Sequence, residues 1–245
     1  MLSVRPLTTG EIQTLQPFKH AAALFLLLGP FVSLHEAAGQ APCPPPDTSA
    51  SWAHASRSWS NEGGLRWSND PLRHVLLTML EQDQTARAEF GTRFADTLYG
   101  QRLMKLDSSL AAELSVILDR FGLPTRDMVG PAGSDAAMLI VQHNWPLQER
   151  VLTLARDLPP NQISPEKLAM LEDRVLVHQG KPQRFGSQFT AGPDSVFRFA
   201  PISDTVGLDA RRAAVGMLPL SQYVCLLEEA GMHVDRASLP PSFQP

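Results

Sequence analysis

The sequence predicts a mainly α (α+β) fold: a helical domain of about six to seven helices with one small antiparallel β-hairpin. Two observations predict it. Successive segments after residue 70 place apolar residues at helical spacing and are separated by short Gly- and Pro-containing breaks. A single stretch, residues 184–200, changes to a period of two. The chain of 245 residues is 43% apolar and 19% charged, enough to bury a core.

The elements follow in order. Residues 1–39 read as a signal peptide, because Lys19 and His20 precede an apolar run of about 14 residues, 21–34, too short to span a bilayer. Small residues follow, and cleavage after Gly39 is preferred to Ala41, which precedes Pro42. Removal of this segment leaves no stable transmembrane segment and an exported protein, periplasmic or extracellular. Residues 40–70 read as a linker with Pro44-Pro45-Pro46, six serines, and Trp52, Trp59 and Trp67. These rings either pack back on the domain or stack on a partner. Cys43 follows Gln40-Ala41-Pro42, a poor context for lipidation, and an oxidising compartment permits a Cys43–Cys225 disulfide without requiring one.

The domain spans 71–235. Asp70-Pro71 caps a first helix running to about Phe94, with Leu72, Leu76, Met79, Asp83, Ala86 and Phe90 on one face. Asp83 lies mid-stripe, and Arg87 at i+4 is placed to pair with it. A second helix is expected from near Asp107-Ser108 to Phe121, stopped by Gly122-Leu123-Pro124. A third, Asp135–His143, is apolar all round and therefore central. Gln142 and His143 emerge at its carboxyl end, where the helix dipole favours a protonated imidazole. Asn144-Trp145-Pro146 starts a fourth helix with the stripe Leu147, Val151, Leu154 and Leu158, and Ser164-Pro165 starts a fifth ending near Gly180.

Arg184–Phe189 and Phe197–Ala200 alternate about a turn at Gly192-Pro193-Asp194, which predicts the hairpin and leaves Gln188 on the face opposite Phe185, Ser187 and Phe189. Two helices follow, near 209–215 and 219–231, and residues 236–245 read as a loose C-terminal tail.

The function classes narrow by exclusion. A formal net charge of −4 supplies no basic excess for a nucleic-acid partner. No P-loop, dinucleotide fingerprint, nucleophile elbow or C-x-x-C is present, and no histidines stand at metal-ligand spacing. No metal and no cofactor is expected.

Several short motifs resemble, in order and spacing, a bacterial family catalogued only as a domain of unknown function. They are Asp83-Gln84-Thr85-Ala86-Arg87, Val141-Gln142-His143, Asp173-Arg174-Val175-Leu176-Val177, Phe185-Gly186-Ser187-Gln188 and Asp209-Ala210-Arg211-Arg212, with Gln183 and Gly216–Tyr223 among them. The resemblance covers roughly 71–230. It implies an architecture and a set of polar positions but no activity. That family more often carries an acidic residue soon after the Gln-His pair, where this chain has Asn144-Trp145.

Read physically, those positions form one constellation. His143 would transfer protons, Asp83 or Asp173 would orient it, and Arg87, Gln142, Arg174 and Gln188 would bind the ligand. The competing reading of the same residues, and the one that ion pairs in helical domains favour, is a buried network that fixes helix packing. The leading functional expectation is a binding or interaction module of the cell envelope, its partner a small molecule or an envelope protein. The alternative is a metal-independent hydrolase-like enzyme centred on His143.

Overall fold

The computed structural model describes residues 43, 44, 53, 59, 60, 66–92 and 96–243. Residues 1–39, expected as a signal peptide, and Trp52 lie outside the described residues. The architecture is mainly α with a small β part: α1 (Asp70–Thr92), α2 (Thr97–Phe121), α3 (Arg126–Val141), α4 (Trp145–Arg156) and α5 (Pro165–His178) come first. The strands β1 (Phe189–Ala191) and β2 (Val196–Phe199) follow, then α6 (Leu208–Ala214), α7 (Leu220–Glu229) and β3 (His233–Val234).

Local chemistry sets the helix ends. Asn69, one residue before the expected cap, accepts the Leu72 amide at 3.1 Å and starts α1. Asp96 accepts the Leu98 and Tyr99 amides at 2.9 and 3.2 Å, so α2 begins ten residues before the expected start at Asp107. Its first turns bury little besides Tyr99 and Leu103, which is why the apolar stripe alone located only its second half. The helix stops at Gly122, whose φ of +73° needs a residue without a Cβ.

α3 begins nine residues before the expected start at Asp135 and takes in the Gly130–Ser134 stretch. Gly130 breaks the helix with φ +72°, and Pro131 resumes it, since a proline in a first turn forfeits no hydrogen bond. From Val129 to Val141 nearly every side chain is buried, so α3 is the central helix as its all-apolar surface predicts. Asn144 caps α4 through the Leu147 amide, and Ser164 caps α5 through the Lys167 amide.

The main core joins α1 to α5 through Leu76, Leu114, Val129, Val141, Val151 and Leu171. Each such aliphatic side chain stabilises the fold by about 1.5–3 kcal/mol when fully buried. A second core packs Leu220, Val224 and Leu227 of α7 against Phe199, Leu208, Met232 and Leu239. Ala169, Phe185 and Met217 form a third, smaller cluster, which holds α5 beside the segments before the sheet and after α6.

The hairpin is present but shifted. β1 pairs antiparallel with β2 in the register Phe189↔Phe199 and Ala191↔Phe197, and β2 also pairs parallel with β3, a third strand too short to announce itself. Arg184–Gln188 is not a strand. Three of its backbone amides turn inward to one carboxylate, as described below. The segment 236–243, expected as a loose tail, packs on the second core: Leu239 is buried and Phe243 rests against the cluster.

Residues ahead of α1 are held to the domain at separate places. Cys43 is disulfide-bonded to Cys225 of α7, its amide donates to Glu229 at 2.6 Å, and the Pro44 carbonyl accepts from Gln222 at 2.9 Å. Trp59 is buried, and the Trp67 ring carries the Arg73 guanidinium 4.4 Å from its centroid. Two of the three linker tryptophans therefore pack on the domain.

Candidate functional site

The expected polar positions divide between two networks. The first is built on α1, α2 and the ends of α3 and α5. Asp83, 1% exposed, receives the Arg87 Nε at 3.0 and 3.1 Å and Nη2 at 2.9 Å, and the Gln84 amide at 2.8 Å. Arg87 Nη2 also donates to Asp107 at 2.5 Å. Burial pushes the Asp107 carboxyl up and the Asp83 charge adds to this, while Arg87 draws it down. The i,i+4 spacing placed Asp83 and Arg87 together as expected. Asp107 was missed because its segment read as a helix start rather than a helix interior.

Gln142 and His143 follow α3 in a turn, and Arg174 of α5 closes on them. Arg174 Nη2 donates to Gln142 Oε1 at 3.4 Å, and Gln142 Nε2 lies 3.0 Å from His143 Nε2. Since the Gln142 oxygen faces the guanidinium, its NH₂ faces the ring, and His143 Nε2 must accept. The ring proton then sits on Nδ1. Burial, with the Arg87 and Arg174 charges acting in the same direction, lowers the His143 pKa to about 3. The protonated imidazole expected at the end of a helix is overturned: two guanidinium charges and desolvation outweigh the helix dipole. Burial also pushes Arg174 down to about 10.

The second network surrounds Asp173, which is fully buried one residue before Arg174. Its carboxylate accepts the amides of Arg184 at 2.6 Å, Phe185 at 3.0 and 3.1 Å and Ser187 at 3.0 Å, and the Ser187 hydroxyl at 2.9 Å. Burial pushes its pKa up and these donors pull it back. Gly186, at φ +66°, lets the chain curl, and a Cβ there would stand 2.9 Å from the Ile202 side chain. Gln188, expected to point into a site or solvent, is buried: its NH₂ donates to Ser187 Oγ at 2.9 Å and its backbone amide to Gln183 Oε1 at 2.8 Å. Gln183 in turn donates to the Gln188 and Ala200 carbonyls. Arg212 donates to the carbonyls of Phe185 at 2.5 Å, Gly186 at 3.3 Å and Leu218 at 2.6 Å. All of these bonds but the one from Arg212 to Leu218 fix the 183–188 segment between α5 and α6. Gln183 and Arg212 stood in the sequence motifs, but only the fold reveals that they brace a loop.

A third feature had no sequence signal. Asp135 accepts the Trp59 indole N–H at 3.1 Å on both oxygens, with the Arg126 guanidinium 5.3 Å from the ring centroid. Burial raises the Asp135 pKa to about 6, opposed by the Trp59 hydrogen bond and Lys167 and assisted by Glu166. Between α3 and α5 lies a cavity of about 20 Å³ lined in part by Gln142, Lys167 and Arg174. Among the described residues no group of three or more His, Cys, Asp or Glu could hold a metal ion, and no helix is long and apolar enough to cross a membrane.

A family model described as a family of unknown function (DUF6624) matches residues 70–235. No curated protein and no solved structure matches.

Proposed function

The chain belongs to this family of unknown function, and on that premise we propose that it is an exported binding or interaction module of the cell envelope, with Gln142, His143 and Arg174 at its ligand site. The observation that carries the binding role is the state of His143. A general acid/base must exchange its proton near the working pH. This ring is neutral to about pH 3, its Nε2 faces an amide donor, and the charges acting on it are both cations. Asp83 is engaged by Arg87 and Gln84, and Asp173 by the Arg184, Phe185 and Ser187 amides, so both carboxylates serve other partners. A neutral imidazole fixed beside an amide and a guanidinium is suited to recognising a polar group.

Export is supported by the apolar run at 21–34 with its small-residue site, and by the Cys43–Cys225 bond, since such bonds persist in oxidising compartments. NMR of the imidazole nitrogens tests the binding role. The expected result is an Nδ1-protonated ring that stays neutral from pH 8 to about pH 4. A ring titrating between about pH 6 and 7 overturns it and restores the acid/base reading.

A further inference from the structure

We infer that Tyr223 of α7 belongs to the same site as His143, and that the two donate to the oxygens of an uncharged peptide-type amide. The inference rests on the binding reading above and names the ligand class. Tyr223 ends the Gly216–Tyr223 motif. Its ring meets Phe199 edge-on, with centroids 6.4 Å apart, and the Arg212 guanidinium stands 5.2 Å from its centroid. The Arg174 charge acts on both Tyr223 and His143, which gathers the two donors about one guanidinium at the junction of the two larger cores.

These two groups are uncommitted where their neighbours are not. Gln142 Oε1 faces Arg174, and His143 Nε2 faces the Gln142 NH₂. The His143 Nδ1–H and the Tyr223 hydroxyl have no hydrogen-bond partner in the protein among the described residues. Neither atom is an enclosed orphan, so both reach solvent. Both also keep their protons over the working range. His143 is a neutral ring down to about pH 3, and burial, opposed by Arg212 and Arg174 and assisted by Glu166, pushes Tyr223 up to about 12.

Charge balance selects a neutral ligand. Arg87 is paired with Asp83 and Asp107, and Arg212 is bonded to three carbonyls with Asp209 and Asp173 acting on it. At Tyr223 the Arg174 and Glu166 charges oppose each other. An ion entering here would shed water without an unmatched countercharge to receive it, whereas a neutral oxygen gives up far less. The donors then select the kind of oxygen. A carbonyl offers two lone pairs and no proton, while a sugar hydroxyl must place its own proton as well. In a trans peptide the N–H points away from the carbonyl. Glu166, whose carboxylate has no hydrogen-bond partner among the described residues, or water then accepts it.

The test is an NMR titration of the full chain with N-acetylalanine methylamide, glucose and acetate in turn, following the His143 imidazole nitrogens and an isotopic label at Tyr223 Cζ. The blocked amino acid is expected to move both signals saturably, with a Kd at least about fivefold below those of glucose and acetate. Tyr223→Phe removes one oxygen that has no protein partner, so the variant should melt with the parent and bind the blocked amino acid at least about threefold more weakly. If the variant melts early, the two side-chain signals of the parent decide alone. Unchanged binding by a stable Tyr223→Phe, glucose or acetate binding as tightly, saturation that leaves either signal unmoved, or no saturable shift with any probe overturns the assignment. None of those outcomes alters the titration of His143 in the free protein, so the two readings fail separately.

Discussion

Asp135 and His143 sit eight residues apart on the central helix and its exit, and burial moves their pKa values in opposite directions. Asp135, raised from 3.8 to about 6, keeps its proton in the native state over a window where the unfolded chain has lost it. Its contribution is complete below pH 3.8 and is lost as pH rises through about 6. His143, lowered from 6.5 to about 3, does the reverse: the unfolded state binds the extra proton, so stability is lost as pH falls below 6.5. The two oppose each other between about pH 4 and 6, which flattens the acid side of the stability profile. Asp135→Asn isolates one of them. The amide oxygen still accepts from Trp59 while the buried charge is gone, so the variant should be more stable by about 1–2 kcal/mol at pH 7.5, with most of that difference gone by about pH 4.5. Thermal melts at the two pH values read this directly. Nothing in the sequence marks Asp135, because its partner Trp59 is 76 residues away and the apolar surroundings are a property of the packed core.

At the scale of elements, the crossing from α5 into the sheet depends on one carboxylate. The alternation of Arg184–Phe189 matches a strand pattern, yet Asp173 gathers three backbone amides and a hydroxyl from that stretch, and a strand cannot present them to one point. Asp173→Asn would turn an NH₂ toward donors and leave buried groups unpaired. The expected loss is about 3–5 kcal/mol, read by denaturant unfolding, with the circular dichroism of the helices little changed in the surviving native state. The helices themselves were largely legible, because caps such as Asn144 and Ser164 act within three residues and stripes act within a turn or two. What was not legible is non-local or weakly patterned. The first half of α2 buries little and holds Gly100, β3 is two residues long, and the kink at Gly130 hides a helix behind a Gly-Pro pair. Of the candidate residues, the Asp83–Arg87 pair was readable from spacing alone, whereas the parting of Asp173 from Arg174 into separate networks follows from the 100° between adjacent helix positions and the elements that happen to face each side.

At the scale of the molecule, two larger cores stand side by side, one of α1–α5 and one of α7 with the small sheet. The Cys43–Cys225 bond fastens the segment ahead of α1 to the second of them, across a sequence separation of 182 residues. A bond closing so long a loop stabilises chiefly by restricting the unfolded chain. Reduction of the full chain should therefore lower stability by about 2–5 kcal/mol, seen as an earlier melt with reductant than without. Parent and Cys225→Ser should melt alike once reductant is present. The burial of Trp59 and the Pro44–Gln222 contact show that these described residues belong to the folded unit, although the Pro- and Ser-rich composition around them reads as a tether. The family match begins at residue 70, but the covalent ring begins at Cys43 and closes at Cys225. Any single backbone cut inside that ring opens it without releasing a fragment, so a nicked molecule keeps both pieces until the sulfurs are parted.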